Sequence, residues 1–219
     1  MIPAVRLEYG RYGDGEWLMR IAPDGGGDLP PILFLPPLFE EMNRTRALIA
    51  AIMRKLAARG HACVLPDLPG TGESERALEE ILWTDWRAAA AAAVPHAVVV
   101  ASIRGGCLLD DAAPARAHWR FAPVAGASLH RDLARAAVAG GAANAGYSAS
   151  EKLLGALAAA EPAALAPLRT VRLFSDRGGA DAKLEGPALW RRSEPGMSDE
   201  LAELCACDID DWARQCGAC

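Results

Sequence analysis

The chain has 219 residues and a net charge of −5; 52% of its residues are apolar and 23% charged, proportions that fit a globular core. No block of lysine and arginine gathers on it, so a nucleic-acid partner is not expected. The first residues lack a basic start followed by an apolar run, and the longest apolar stretch, Trp86–Ser102, is broken by Pro95 and His96. Neither an export signal nor a membrane span is therefore expected. The cytoplasm is the default location, with the six cysteines mostly reduced.

In chain order, "VRLEYG" and "EWLMRIAP" flank "RYGDG" and predict an opening hairpin. "PPILFLPPL" reads as a short buried strand. Leu48, Ile49, Ile52, Met53 and Leu56 keep helical spacing and predict a helix over 43–59, with Asn43 as N-cap and Gly60 as its stop. "ACVLPDL" is the next strand, ended by the turn "PGTG", which makes Asp67 a turn residue. A helix over "LWTDWRAAAAAA" leads to the strand "AVVVAS". "HWRFAPV" and "TVRLFSD" are later strands, and residues 127–169 form a helical lid insert whose most loop-like segment is "GGAANAG". Few residues separate "FSD" from "ALWRR", so the last strand is expected to be short or missing. A final helix starts near Ser198. Strands alternating with helices predict an α/β fold: one domain over 1–219, a mostly parallel sheet with helices on both faces, and a working edge at the carboxyl ends of the strands.

"VVVASIRGGCLL" has the form of a nucleophile elbow, a strand, a tight turn and a restarting helix. The elbow needs small residues two before and two after its tip, because strand and helix backbones pass close there. Ser102 and Gly106 serve if the tip is Arg104; Ala101 and Gly105 serve if it is Ile103. "PPLFEEMNRTR", "LPDLPGTGES", "SIRGGCLL" and "FAPVAG" together resemble the α/β-hydrolase superfamily and, more narrowly, its exosortase A system-associated hydrolase 2 group. The resemblance is densest from Pro30 to Gly126 and favours Arg104 at the tip. It implies an α/β-hydrolase-like fold, ester or thioester hydrolysis, and a setting in exopolysaccharide production and exosortase-dependent sorting.

The triad such a fold uses is hard to assemble from this chain. Of the four histidines, His61, His96 and His118 precede strands, which puts them on the edge away from the site; His130 alone is near the working edge. No histidine follows it, and Met197 stands where "PG-His" would be expected. Asp176 and Asp181 are candidate acids, with solvated loop carboxylates as the plainer reading. Ser102 is a displaced nucleophile without a visible base. Cys107, in the first turn after the elbow, is a second, with its thiol pKa lowered by the helix dipole; a small buried cysteine is the plainer reading. His130 with either makes a rearranged dyad.

Arg104 cannot act as nucleophile or base, because it stays protonated. At a helix N-terminus, with Gly105 and free backbone N–H groups beside it, it suits a small anionic molecule or an acyl group bearing one. Alternatively it pairs internally with Glu40 or Glu41 of "EEMN", whose Asn43 is a further ligand candidate. At the C-terminus, Cys205, Cys207, Cys216 and Cys219 have zinc-like spacing. A helix puts Cys205 in an apolar stripe with Leu201, Ile209, Trp212 and Cys216 and turns Cys207 away, so no metal is expected. No cofactor is called for. Two functions stand: a non-catalytic, anion-binding or partner-binding accessory protein with an altered site, or an ester or thioester hydrolase with a displaced nucleophile.

Overall fold

The computed structural model describes residues 4–26, 29–140 and 147–217. The segment "GGAANAG" and Cys219 lie largely or wholly outside these residues. The opening hairpin pairs β1 (Val5–Tyr12) with β2 (Glu16–Pro23) in antiparallel register, Tyr12 opposite Glu16. Six further strands follow: β3 (Leu29–Leu35), β4 (His61–Pro66), β5 (Ala97–Ile103), β6 (Ala115–Phe121), β7 (Leu168–Leu173) and β8 (Ala182–Leu184). The sheet order is β1-β2-β4-β3-β5-β6-β7-β8, with every pair from β4 to β8 parallel. The strand order reverses between β3 and β5, so their carboxyl ends flank the crevice where open α/β sheets bind ligands.

Both faces of the sheet are covered. α1 (Glu40–Ala58) and α5 (Asp199–Gly217) lie on one face, over Ile32, Phe34, Val99, Ala101, Trp119 and Phe121. α2 (Trp83–Ala93), α3 (Gly126–Gly140) and α4 (Glu151–Ala159) lie on the other, over Leu33, Leu35, Val64 and Val100. Adjacent residues of β3 and β5 are thus buried on opposite sides, and for that reason these strands read as continuous apolar runs. The stretch between β6 and β7 holds α3 and α4, whose ends meet where the Gly126 N–H donates to Ala160 O at 2.9 Å.

Two local expectations are revised, and a third, of a short last strand, is met. α1 begins at Glu40, not Asn43: the chain turns at Phe39 with φ 56°, and Glu40 and Glu41 occupy the first turn, where the helix dipole favours carboxylates. The helix expected after the elbow is only a 3-10 segment, Arg104–Leu108. Residues 104–114 are all the chain has between β5 and β6, too few for a packed crossover helix. The last strand exists as three residues: β8 pairs Val171, Arg172 and Leu173 with Ala182, Lys183 and Leu184, and "ALWRR" contributes a 3-10 turn at Leu189–Arg191.

Candidate functional site

The elbow is real in the backbone. β5 is buried throughout and ends at Ile103 in extended conformation; Arg104 then adopts φ 53°, the left-handed region disfavoured for a residue with a Cβ. Gly106 faces the end of β3 so closely that a Cβ there would lie 2.6 Å from Pro36 O and closer still to Leu35 O. That contact sets the tip at Arg104. Phe39 and Ala122 are the other described non-glycine residues with positive φ. All three stand just beyond the carboxyl ends of β3, β5 and β6, so backbone strain gathers around one cleft, as it does at functional sites.

The cleft has a volume of about 730 Å³, and Leu38, Phe39, Leu129, Leu133 and Trp190 give it apolar walls. Its polar groups are Glu40, Glu41, Arg44, Arg104, Ser128, Asp132 and Arg191. Arg104 Nη2 donates to Glu41 Oε1 at 2.8 Å, and Nε reaches both Glu41 oxygens at 3.2 and 3.3 Å. Arg104 Nη1 donates to Ala122 O at 3.3 Å, and the guanidinium lies 5.1 Å from the Trp190 ring centroid. Burial raises the Glu41 carboxyl above its ordinary range, against the pull of Arg104. Also on the lining, Glu40 accepts at Oε2 from Asn43 Nδ2 and from the Tyr147 hydroxyl, each at 3.2 Å. Burial, then the charge of Glu40, pushes the Tyr147 hydroxyl up to about 12.

The candidate nucleophiles stand elsewhere. Ser102 is fully buried inside the sheet, its Oγ donating to Asp110 Oδ2 at 2.8 Å. Asp110 in turn accepts Arg120 Nε at 2.7 Å and Nη2 at 2.8 Å, a bidentate pair below the elbow. Cys107 is fully buried, and burial, with Asp110 nearby, pushes its thiol up to about 12, opposite to the dipole effect expected of a longer helix. His130 sits on α3 outside the cleft lining, which takes Ser128, Leu129, Asp132, Leu133 and Ala136 from that helix; it has no hydrogen bond to Ser102 or Cys107. Among the described residues no histidine lines the cleft.

Asp176 and Asp181 part company. Asp176 follows β7 at the working edge and is buried, not solvated; its Oδ1 accepts Arg191 Nη2 at 3.0 Å, and Oδ2 has no partner. Asp181 is exposed and builds the sheet: its Oδ2 accepts the Thr170 N–H at 2.7 Å where β8 begins. Asp67 is more than a turn residue, since it is buried, accepts Arg46 Nη1 at 2.8 Å and accepts the Glu73 N–H at 3.1 Å. Gly105 leaves no room for a side chain: a Cβ there would lie 2.7 Å from Leu129 and 2.9 Å from Leu38. Arg44, Trp190 and Tyr147 escaped sequence reading. Arg44 lies one turn along α1 from Glu40 and was legible from "EEMNR"; Trp190 and Tyr147 come from irregular segments with no periodicity to place them. On α5, Cys205 is buried and Cys207 exposed, and among the described residues no group of three or more His, Cys, Asp or Glu is arranged to hold a metal ion.

Sheet order, switch point and elbow define one class: the chain has the α/β-hydrolase fold. Among solved structures, it is similar to the α/β hydrolase domain-containing protein 10 from mouse, with a TM-score of 0.63 at 14% identity, over 96% of this chain and 99% of that one. An esterase/lipase from an uncultured bacterium superimposes with a TM-score of 0.55 at 15% identity, over 98% of this chain and 86% of that one. EstE5 superimposes with a TM-score of 0.56 at 13% identity, over the same two shares. No protein-family model matches the chain, and no curated protein does. Among the described residues no helix is long and apolar enough to cross a membrane.

Proposed function

We propose that this is a non-hydrolytic binding protein built on the α/β-hydrolase fold, which holds a small amphipathic molecule with an anionic group beside Arg104. One observation carries the reading: the elbow tip presents a guanidinium tied to Glu41, where hydrolysis needs a nucleophile. A guanidinium neither attacks a carbonyl nor accepts a proton at neutral pH. Ser102 spends its hydroxyl on Asp110, and the Cys107 thiol is held protonated by burial. Arg104 has five N–H donors; Glu41 and Ala122 O leave some of them for a ligand oxygen. Leu38, Phe39, Leu129 and Leu133 suit an acyl portion, and Glu40 on the lining is held by Asn43 and Tyr147. In this reading the 127–169 insert, which holds α4 and all of α3 but its first residue, acts as a helical lid. The resemblance of residues 30–126 to the exosortase A-associated group supports an accessory role in exopolysaccharide systems, in the cytoplasm.

The test pairs chemistry with binding. A fluorophosphonate and a thiol-reactive acyl probe leave the folded protein unlabelled, and p-nitrophenyl butyrate is not turned over. Octanoate raises the melting temperature of the parent and not of Arg104→Ala. A stoichiometric adduct on Ser102, Ser128 or Cys107, with turnover lost on its substitution, overturns the reading. It would favour the ester or thioester hydrolase toward which the likeness to the esterase/lipase points.

A further inference from the structure

A second pocket, of about 220 Å³, lies away from the elbow cleft, between the β1–β2 turn, the loop after β4 and the flank of α2. Glu16 lines it. This residue is only 6% exposed, yet no described lysine, arginine or histidine pairs with it and its carboxylate accepts no hydrogen bond from any described residue. The body of the residue is buried while its carboxylate oxygens meet the water of the pocket, with no protein cation beside them; folded proteins normally pair a carboxylate so withdrawn. The opposite residue in the hairpin, Tyr12, is committed elsewhere, its hydroxyl donating to Asp67 O at 2.8 Å. Burial raises the Tyr12 hydroxyl, and the charges of Glu16 and Asp67 raise it further, as a negative local potential would.

The rest of the lining has the same polarity. Asp14 in the turn and Asp85 in the first turn of α2 bring the carboxylates to three, against one guanidinium, Arg76. Arg76 faces Asp85 at a long 3.5 Å. The remaining wall is apolar and narrow: Ala88, Ala89 and Ala92 of α2, with Gly13 packed against it. The alanine wall offers no ligand to a metal ion and suits the alkyl part of an organic cation. From the buried, unpaired Glu16 and its alanine-walled pocket, we infer that this is a binding site for a short alkylammonium group, with the ammonium on Glu16 and Asp14 and the alkyl stem along α2.

The ammonium could belong to a free amine or to a lysine side chain, and calorimetry on the full chain separates the two. The probes are 1,5-diaminopentane, Nα-acetyl-lysine methylamide, and sodium and magnesium chloride at matched ionic strength. The amine binds the parent at a single site and raises its melting temperature; the salts do neither. Binding weakens about tenfold or more in Glu16→Gln. That variant melts no lower than the parent in the absence of amine, because the Glu16 side chain makes no ion pair or hydrogen bond for the substitution to break. Asp14→Asn, in an exposed turn, weakens binding less and keeps the test open if Glu16→Gln fails to fold. Lysine amide bound as tightly as diamine identifies a peptide source; diamine alone identifies a free amine. No saturable binding by the parent, equal binding by the folded variants, or the same response to the salts overturns the inference.

Discussion

Replacing Arg104 by leucine tests the elbow pair directly, and its cost should depend on pH. The side chains of Arg104 and Glu41 are 12% and 15% exposed and share three contacts of 2.8–3.3 Å. Leucine keeps a Cβ at φ 53°, so the backbone strain is unchanged; what is lost is the charge, with the guanidinium's contacts to Ala122 O and the Trp190 ring. Removing one partner of a buried ion pair costs about 3–5 kcal/mol, because the remaining charge is stranded. For a chain of this size that corresponds to a melting temperature lower by roughly 6–20 °C near neutral pH. Glu41 has an escape: it can take up a proton. Its carboxyl already sits above the ordinary 4.5 through burial, and Arg104 is what holds it down. In Arg104→Leu it rises further. A carboxyl whose folded pKa exceeds its unfolded value contributes stability below the unfolded pKa and loses it as pH rises through the folded pKa. The penalty should therefore be small near pH 4.5 and grow toward pH 8. Urea unfolding at intervals across that range measures it, and adding Glu41→Gln should flatten the profile. A penalty under about 1 kcal/mol at pH 8, or one that does not change with pH, would refute the stranded-charge reasoning.

The pair beneath the elbow makes a companion prediction. Arg120→Met should lose about 3–5 kcal/mol by urea unfolding, and the double variant Asp110→Leu, Arg120→Met should recover most of it, because no charge is then left unpaired. Gly106→Ala should unfold the elbow or prevent expression, since backbone carbonyls of Leu35 and Pro36 occupy the space of its Cβ; a soluble variant within about 1 kcal/mol of the parent would contradict the packing. His118 is buried in β6 and burial holds its imidazole below the ordinary 6.5, with Asp110 opposing and Arg120 adding to that shift. Its share of stability is complete above about pH 6.5 and is lost as pH falls toward the folded value, so thermal scans should fall less steeply on acidification in His118→Gln. Native thiol titration should modify Cys207 quickly and leave Cys63, Cys107 and Cys205 protected until the protein unfolds.

Much of this molecule was legible in the sequence because the governing interactions are local. "ILFL" and "AVVVA" are apolar at every position because parallel strands are buried on both faces, and that alone places them in the middle of a sheet. Small residues on both sides of Arg104 identify the elbow, because close backbone approach excludes side chains there. The absence of a histidine after His130 is a property of the sequence alone. Tertiary structure decided what lies at long range. It chose Glu41 over Glu40 as the partner of Arg104, because adjacent helical residues point about 100° apart and only one faces the elbow. It turned Ser102 inward onto Asp110 and Arg120, a network drawn from β5, the loop after the elbow and β6. It also left Glu16 without a cation, since whether a charge is paired depends on what other elements bring near it, and spacing along one strand carries no record of that.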